Sequence, residues 1–279
     1  MKIAICFSGQ PRTWEKCYHT WLAVIDRIKI QFDADVDVFC HAWNFNTSSH
    51  GVIVHNPINF LNYKGTTISE NEKENIIRIL NPKSYIFEDE TRSLSAVYAT
   101  LNENTKHLAE HGESSISWAS SQFYAIMRSM HLKKMYEYEN GFRYDMCIRM
   151  RYDLFFDETQ VDCLLRDLIS PAYNTVYPCH TSIDRSVFPF VRMGDILWFA
   201  DSVAFDRVCE FYRWLPILGS KSFSNKKPST EHTLYYYVKM LQMHVHPIHV
   251  DPKVFRESDY LEKRINAGLL GELGNHELI

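Results

Sequence analysis

Five short stretches of this chain carry residue types that chemistry needs. The apolar run Ile3–Phe7 leads into Ser8-Gly9-Gln10-Pro11-Arg12 and then into a helical pattern. In such a strand–turn–helix, Gly9 lets the backbone approach a ligand, the helix N-terminus favours phosphate, and Arg12 can grip a diphosphate bidentately. The turn is not a GxGxxG fingerprint, and the same residues also make an ordinary βα turn with a solvated arginine. In the second stretch, Asp37-Val38-Phe39-Cys40-His41-Ala42-Trp43, alternation places Asp37, Phe39, His41 and Trp43 on one side of a strand. His41 and Trp43 then reach the same sheet end as Ser8 and Arg12, where a ring suits a nucleobase or a sugar. Core packing with a satisfied histidine explains the same pattern.

The third stretch runs from Cys147 to Asp157. Period two sets Arg149, Arg151 and Asp153 on one side and Ile148, Met150 and Tyr152 on the other. Three charged groups on a buried strand must pair with one another or line a polar cleft. A carboxylate at a strand end is a hard oxygen ligand for Mg²⁺ or Mn²⁺ on a diphosphate; an internal arginine–aspartate ion pair is the alternative. The fourth stretch, Pro228-Ser229-Thr230-Glu231, opens a helix, where Glu231 is favoured electrostatically whether or not it does chemistry. The fifth, His244-x-His246-x-x-His249 followed by Asp251, offers a metal ligand but lacks zinc-site spacing.

The elements that must position these residues alternate. Strands are predicted over 3–7, 36–41, 84–87 and 144–154. Helices are predicted from about 13, over 70–80 (closed by Asn81-Pro82), over 92–110 and over 117–138, with Phe123, Ile126, Met127, Met130 and Lys134 in phase. The polar stretch 44–66 reads as a long loop. This order implies an α/β fold, a mostly parallel sheet with helices on both faces. The second half is less regular: one or two strands in 187–199, helices over 202–215 and 229–243, a polar mobile segment at 219–228 and a late strand over 244–250. No boundary interrupts residues 1–279, which read as a single domain.

The chain has 279 residues with a formal net charge of -4, which argues against a nucleic-acid backbone as its main partner. Its 46% hydrophobic and 23% charged residues exclude a disordered or fibrous chain. Seven cysteines without a CxxC pair read as free thiols of a reducing compartment. No apolar stretch is long enough to span a membrane, and the first strand is too short for a signal segment. A soluble cytoplasmic protein is expected, in the host cytoplasm if the chain is viral.

Taken in order, Ile3–Arg12, Val36–Trp43, Arg149–Phe156, Gly194-Asp195-Ile196-Leu197-Trp198-Phe199 and Thr230-Glu231 resemble GT-A-type glycosyltransferases of bacterial surface-polysaccharide clusters and large DNA viruses. The resemblance covers about residues 1–245. It implies a GT-A-like (Rossmann-like) fold whose half at about 1–157 binds a nucleotide sugar and whose half at about 158–279 binds an acceptor. The implied activity is transfer of a hexosyl or pentosyl group from a UDP- or GDP-sugar donor to a glycan hydroxyl. Ser8, Gly9, Gln10, Arg12, His41, Trp43, Arg149, Arg151 and Asp153 fall at its donor site. Asp195 and Glu231 fall where such enzymes carry acceptor-side carboxylates, one of them a base. The family's Asp-x-Asp, which holds Mn²⁺ or Mg²⁺, is matched by Arg151-Tyr152-Asp153, so Asp153 is the one carboxylate left to bind metal, with His246 as a late histidine ligand. Trp43, Tyr152 and Trp198 suit sugar rings. The rival classes are a non-catalytic nucleotide- or glycan-binding module and a sugar nucleotidyltransferase, for which the turn at Ser8–Arg12 lacks a lysine-bearing glycine loop.

Overall fold

A computed structural model describes residues 1–45, 67–89, 115–168, 170–179, 181–184, 190–218, 230–250 and 252–254. The predicted helix at 92–110, the predicted loop at 44–66 except Asn44 and Phe45, the polar segment at 219–228, Ser229 and Asp251 lie outside these residues.

The chain begins with β1 (Lys2–Gly9), α1 (Trp14–Phe32) and β2 (Asp35–Trp43), followed by α2 (Glu70–Leu80), β3 (Ser84–Glu88) and α3 (Ser115–Asn140). After β4 (Met146–Met150) and β5 (Leu154–Phe155) come α4 (Glu158–Asp167), β6 (Thr175–Pro178), β7 (Thr181–Asp184) and β8 (Phe190–Met193). The described chain closes with β9 (Trp198–Ala200), α5 (Ser202–Cys209), α6 (Phe211–Leu218), α7 (Thr230–Met240), β10 (His244–Val245) and β11 (Lys253–Val254).

One seven-stranded sheet has the order β10-β6-β9-β4-β1-β2-β3. β3, β2, β1 and β4 run parallel, β9 runs against β4 and β6, and β10 is parallel to β6. The sheet is therefore mostly parallel and draws strands from both halves of the chain. A strand covered on both faces has no polar side, which explains why Ile3–Phe7 are all fully buried. Ile3, Ile5, Phe7, Val38, Cys40, Ile148 and Met150 pack towards α1, α2 and α4. Ala4, Cys6, Phe39 and Cys147 pack towards α3, α5, α6 and α7.

Helix ends follow their local signals. Ser69 and Glu72 form a capping box on α2, as do Asp157 and Gln160 on α4. Asn81 closes α2 in the left-handed conformation just before Pro82. None of the seven cysteines is in a disulfide, and six of them are buried.

Several expectations change in detail. The strand predicted over 144–154 ends at Met150, and Arg151–Asp153 leave it in a turn before the short β5. The helix predicted over 202–215 is two, because the chain breaks at Glu210. The late strand is confined to His244–Val245, the one or two strands expected in 187–199 are β8 and β9, and β6, β7 and β11 carried too few residues to stand out in the sequence. Lys134 is exposed, and the buried face of α3 continues instead through Lys133 and Glu137. Lys133 Nζ lies 3.0 Å from Glu137, 2.6 Å from Asp206 and 2.7 Å from Ser202 Oγ, which itself bonds Glu137. This ionic knot ties α3 to α5. Burial alone would lower the Lys133 pKa, but the two carboxylates overturn that and hold it charged.

Candidate donor site at the ends of the parallel strands

In an open α/β sheet the side chains nearest a ligand are those at the carboxyl ends of the parallel strands. Three such ends stand side by side here. Ser8 pairs in register with His41 and Gly9 with Ala42, while Phe7 pairs with Met150 on the other side. The structure therefore brings together Ser8, Gly9, Gln10 and Arg12 from β1 and its turn, His41 and Trp43 from β2, and Arg149, Arg151 and Asp153 from the end of β4.

The β1 turn is shaped by Gly9, whose φ of +116° is a conformation that side-chain-bearing residues rarely adopt. A Cβ placed there would meet no atom within 4 Å, so the backbone borders open space. The turn delivers Arg12 to the start of the 19-residue helix α1, whose N-terminus faces the same end of the sheet.

The arginines are held differently. Arg149 is 1% exposed, and its Nη1 donates to the Ile196 carbonyl in the loop before β9. Its Nε is buried without a partner among the described residues. Burial first, then repulsion from Arg151, lowers its pKa to about 10, which still leaves it protonated at neutral pH. Arg151 makes a fork with Asp153: Nε to Oδ1 at 2.8 Å and Nη2 to Oδ2 at 2.5 Å. Burial opposes the charge on Arg151, and Asp153 more than restores it. Asp195, half-buried in the loop before β9, adds its field to both arginines.

Buried polar atoms with no partner among the described residues gather at this end of the sheet. Ser8 Oγ, His41 Nδ1, Asn44 Oδ1, Arg149 Nε and Trp198 Nε1 all come from strand ends or the residue just beyond, and Gln122 Nε2 comes from α3. A buried donor or acceptor left unmade costs about 1–3 kcal/mol, so such a cluster marks a place where ligand or solvent completes the bonding.

Two residues that the sequence reading passed over complete the β2–β3 side. Glu88, at the end of β3, accepts from Nε and Nη2 of Arg128 on α3 at 3.0 and 2.6 Å. Its other oxygen lies 3.1 Å from His41 Nε2. Burial would raise the Glu88 pKa, but bonds from His41 and Arg128 prevail and hold it at about 2. Burial lowers that of His41, with Glu88 opposing in part. The signal for Glu88 was faint: one acidic residue closing a short edge strand.

Other expected residues lie elsewhere. Trp43, Tyr152 and Trp198 are at most 1% exposed. Trp43 stacks on Tyr124 at 5.5 Å, Trp198 packs on Phe205, and Tyr152 packs among Phe7 and Trp21, so these rings are core rather than platforms for a sugar. Glu231 is half-buried in the first turn of α7, in the C-terminal half of the chain. His246 is exposed just past β10, three strand spacings from β4, roughly 14 Å. It is not brought to Asp153, whose two oxygens are both taken by Arg151. No cluster of three metal-ligating side chains exists among the described residues. The described residues therefore do not fit a Mn²⁺ or Mg²⁺ cage around Asp153.

No protein-family model and no curated protein matches this chain by sequence. Among solved structures, it is similar to a glycosyltransferase involved in the glycosylation of the major capsid of PBCV-1. That match has 10% identity and a TM-score of 0.38, and covers 88% of this chain and 82% of the other. It is also similar to mouse xyloside xylosyltransferase 1, with 9% identity and a TM-score of 0.38 over 89% and 85% of the two chains. Likeness this distant carries no assignment of activity. No helix among the described residues is long and apolar enough to cross a membrane.

Proposed function

We propose that this protein is a glycosyltransferase that moves a hexosyl or pentosyl group from a UDP- or GDP-sugar to a glycan hydroxyl. The observation that carries this reading is the set of unpartnered buried polar atoms at the ends of β1, β2 and β4, with the buried cation Arg149 among them. Sugar transfer leaves a nucleoside diphosphate whose developing charge must be met by fixed positive groups. Arg12, Arg149 and the α1 N-terminus supply them in this reading, and Asp153 holds Arg151 in place beside them. Asp195, whose field reaches Arg149 and Arg151, is in this reading the carboxylate that orients or deprotonates the acceptor. Glu231 serves the acceptor from α7. The half at about 1–157 takes the donor and the half at about 158–279 the acceptor.

A panel of nucleotide sugars tests this in a donor-hydrolysis assay without acceptor, repeated with EDTA and with Mn²⁺. Slow release of one nucleoside diphosphate is expected, and Arg149→Met should weaken donor binding about 10- to 100-fold, as loss of a charge-assisted bond does. Binding without turnover under every condition makes the protein a binding module instead. Turnover abolished by EDTA and restored by Mn²⁺ means that a metal is held with help from outside the described residues.

A further inference from the structure

We infer that Glu88 and Arg128 fix His41 as a neutral imidazole whose Nδ1 accepts a hydrogen bond from an N–H or O–H on the nucleoside part of the donor. This deepens the nucleotide-sugar reading and rests on it. His41 would touch the ligand; Glu88 and Arg128 act through it as positioning residues.

The tautomer follows from the partners. Glu88 takes both donors of Arg128 on one oxygen and faces His41 Nε2 at 3.1 Å with the other. An arginine-bound carboxylate is ionised and only accepts, so the ring hydrogen must sit on Nε2. A neutral ring with Nε2–H presents a bare lone pair at Nδ1. That atom is buried and has no partner among the described residues, although His41 is 0% exposed.

The surroundings keep the ring in this state. Burial and the charge of Arg128 oppose protonation, and Glu88 and the residue's own backbone favour it without prevailing. The Trp43 ring stands edge-on at 4.7 Å and that of Tyr124 at 6.1 Å. The Tyr152 hydroxyl is spent on the His41 backbone carbonyl, and Cys40 beside it is a neutral thiol, its pKa pushed up to about 12 by burial. Ser8, opposite His41 in register, carries another atom without a partner among the described residues, a hydroxyl that can donate or accept. The pair Ser8 Oγ and His41 Nδ1 thus matches a ligand edge with at least one donor hydrogen. The uracil N3–H, the guanine N1–H and a ribose hydroxyl all supply one, whereas cytosine N3 carries none and that base donates only from its exocyclic N4 amino group.

Nitrogen NMR of ¹⁵N-histidine-labelled protein reads the first half without ligand. The His41 signals are expected to show the Nε2–H tautomer, neutral at pH 7. In Glu88→Gln, which keeps an acceptor but loses the charge, the His41 midpoint should fall further. A purely structural Glu88 would leave that midpoint in place, and an Nδ1–H tautomer would overturn the inference outright. For the second half, UDP, GDP, CDP and 2′-deoxy-UDP are titrated against the wild type and His41→Phe. Weaker CDP binding alone assigns the bond to the base, and weaker 2′-deoxy-UDP binding alone assigns it to the ribose 2′-hydroxyl. Loss of the acceptor should cost roughly 5- to 100-fold in affinity for the preferred ligand. Nucleotide that binds without moving the Nδ1 resonance overturns the inference and leaves the donor reading standing. Failure of every nucleoside diphosphate and nucleotide sugar to bind overturns both, and the tautomer result is then the property of a structural histidine.

Discussion

Replacing Asp153 by asparagine separates its two possible employments. In the structure Asp153 is 2% exposed and gives both oxygens to Arg151, whose side chain is 22% exposed. Breaking a buried pair by removing one charge typically costs 3–5 kcal/mol, because the other charge stays desolvated. Arg151 reaches water in part, and asparagine can still accept one N–H, so the lower end, about 3 kcal/mol, is expected. For a chain of this size that is roughly 6–12 °C in melting temperature. Urea unfolding of wild type, Asp153→Asn, Arg151→Met and the double variant closes a double-mutant cycle. The coupling should be about 2–3 kcal/mol, with the double variant little worse than either single one. A variant that melts like wild type yet loses donor turnover would refute this. Asp153 would then serve the ligand, and the fork with Arg151 would be incidental.

Three further outcomes are expected. Glu88, whose side chain is 14% exposed, is held at about 2 against an ordinary 4.5, so it contributes roughly 3 kcal/mol above pH 4.5 that is lost as pH falls towards 2. His41 is lowered from 6.5, so the unfolded chain takes up its proton first and stability already begins to fall below about pH 6.5. Acid unfolding followed by circular dichroism should show this decline, with a shallower acid limb in Glu88→Gln. Lys133→Met should destabilise by about 3–5 kcal/mol by leaving Glu137 and Asp206 facing each other, and denaturant midpoints check it; the further change Asp206→Leu should recover part of that loss. Asp195→Asn should lower kcat by about 10²–10⁴ with donor affinity nearly unchanged if it is the base, and Glu231→Gln should then act mainly on the acceptor KM; the reverse pattern exchanges the two roles.

The regular part of this protein was legible because it rests on local rules. An unbroken apolar run such as Ile3–Phe7 has no solvent face and reads as a central strand, and Asn81-Pro82 stops a helix wherever it occurs. Alternation likewise put His41 and Trp43 on one side of β2, and the order of strands and helices implied a parallel sheet. Tertiary structure decided what those side chains do. The pattern around Arg149 and Asp153 showed that charges had to be paired or solvated, but only the turn after Met150 folds Asp153 back onto Arg151 and leaves Arg149 with an open Nε. Trp43 and Trp198 are core because Tyr124 of α3 stacks on the first and Phe205 of α5 packs on the second. Glu88, Arg128 and His41 are separated by up to 87 residues and meet through a β-ladder and a helix crossing it, and Lys133 and Asp206 meet where α3 packs on α5. Local sequence fixes dihedral preference and the side of a strand. Which charges meet across elements depends on three-dimensional packing, and the cost of burying a charge unpaired is what makes that choice specific.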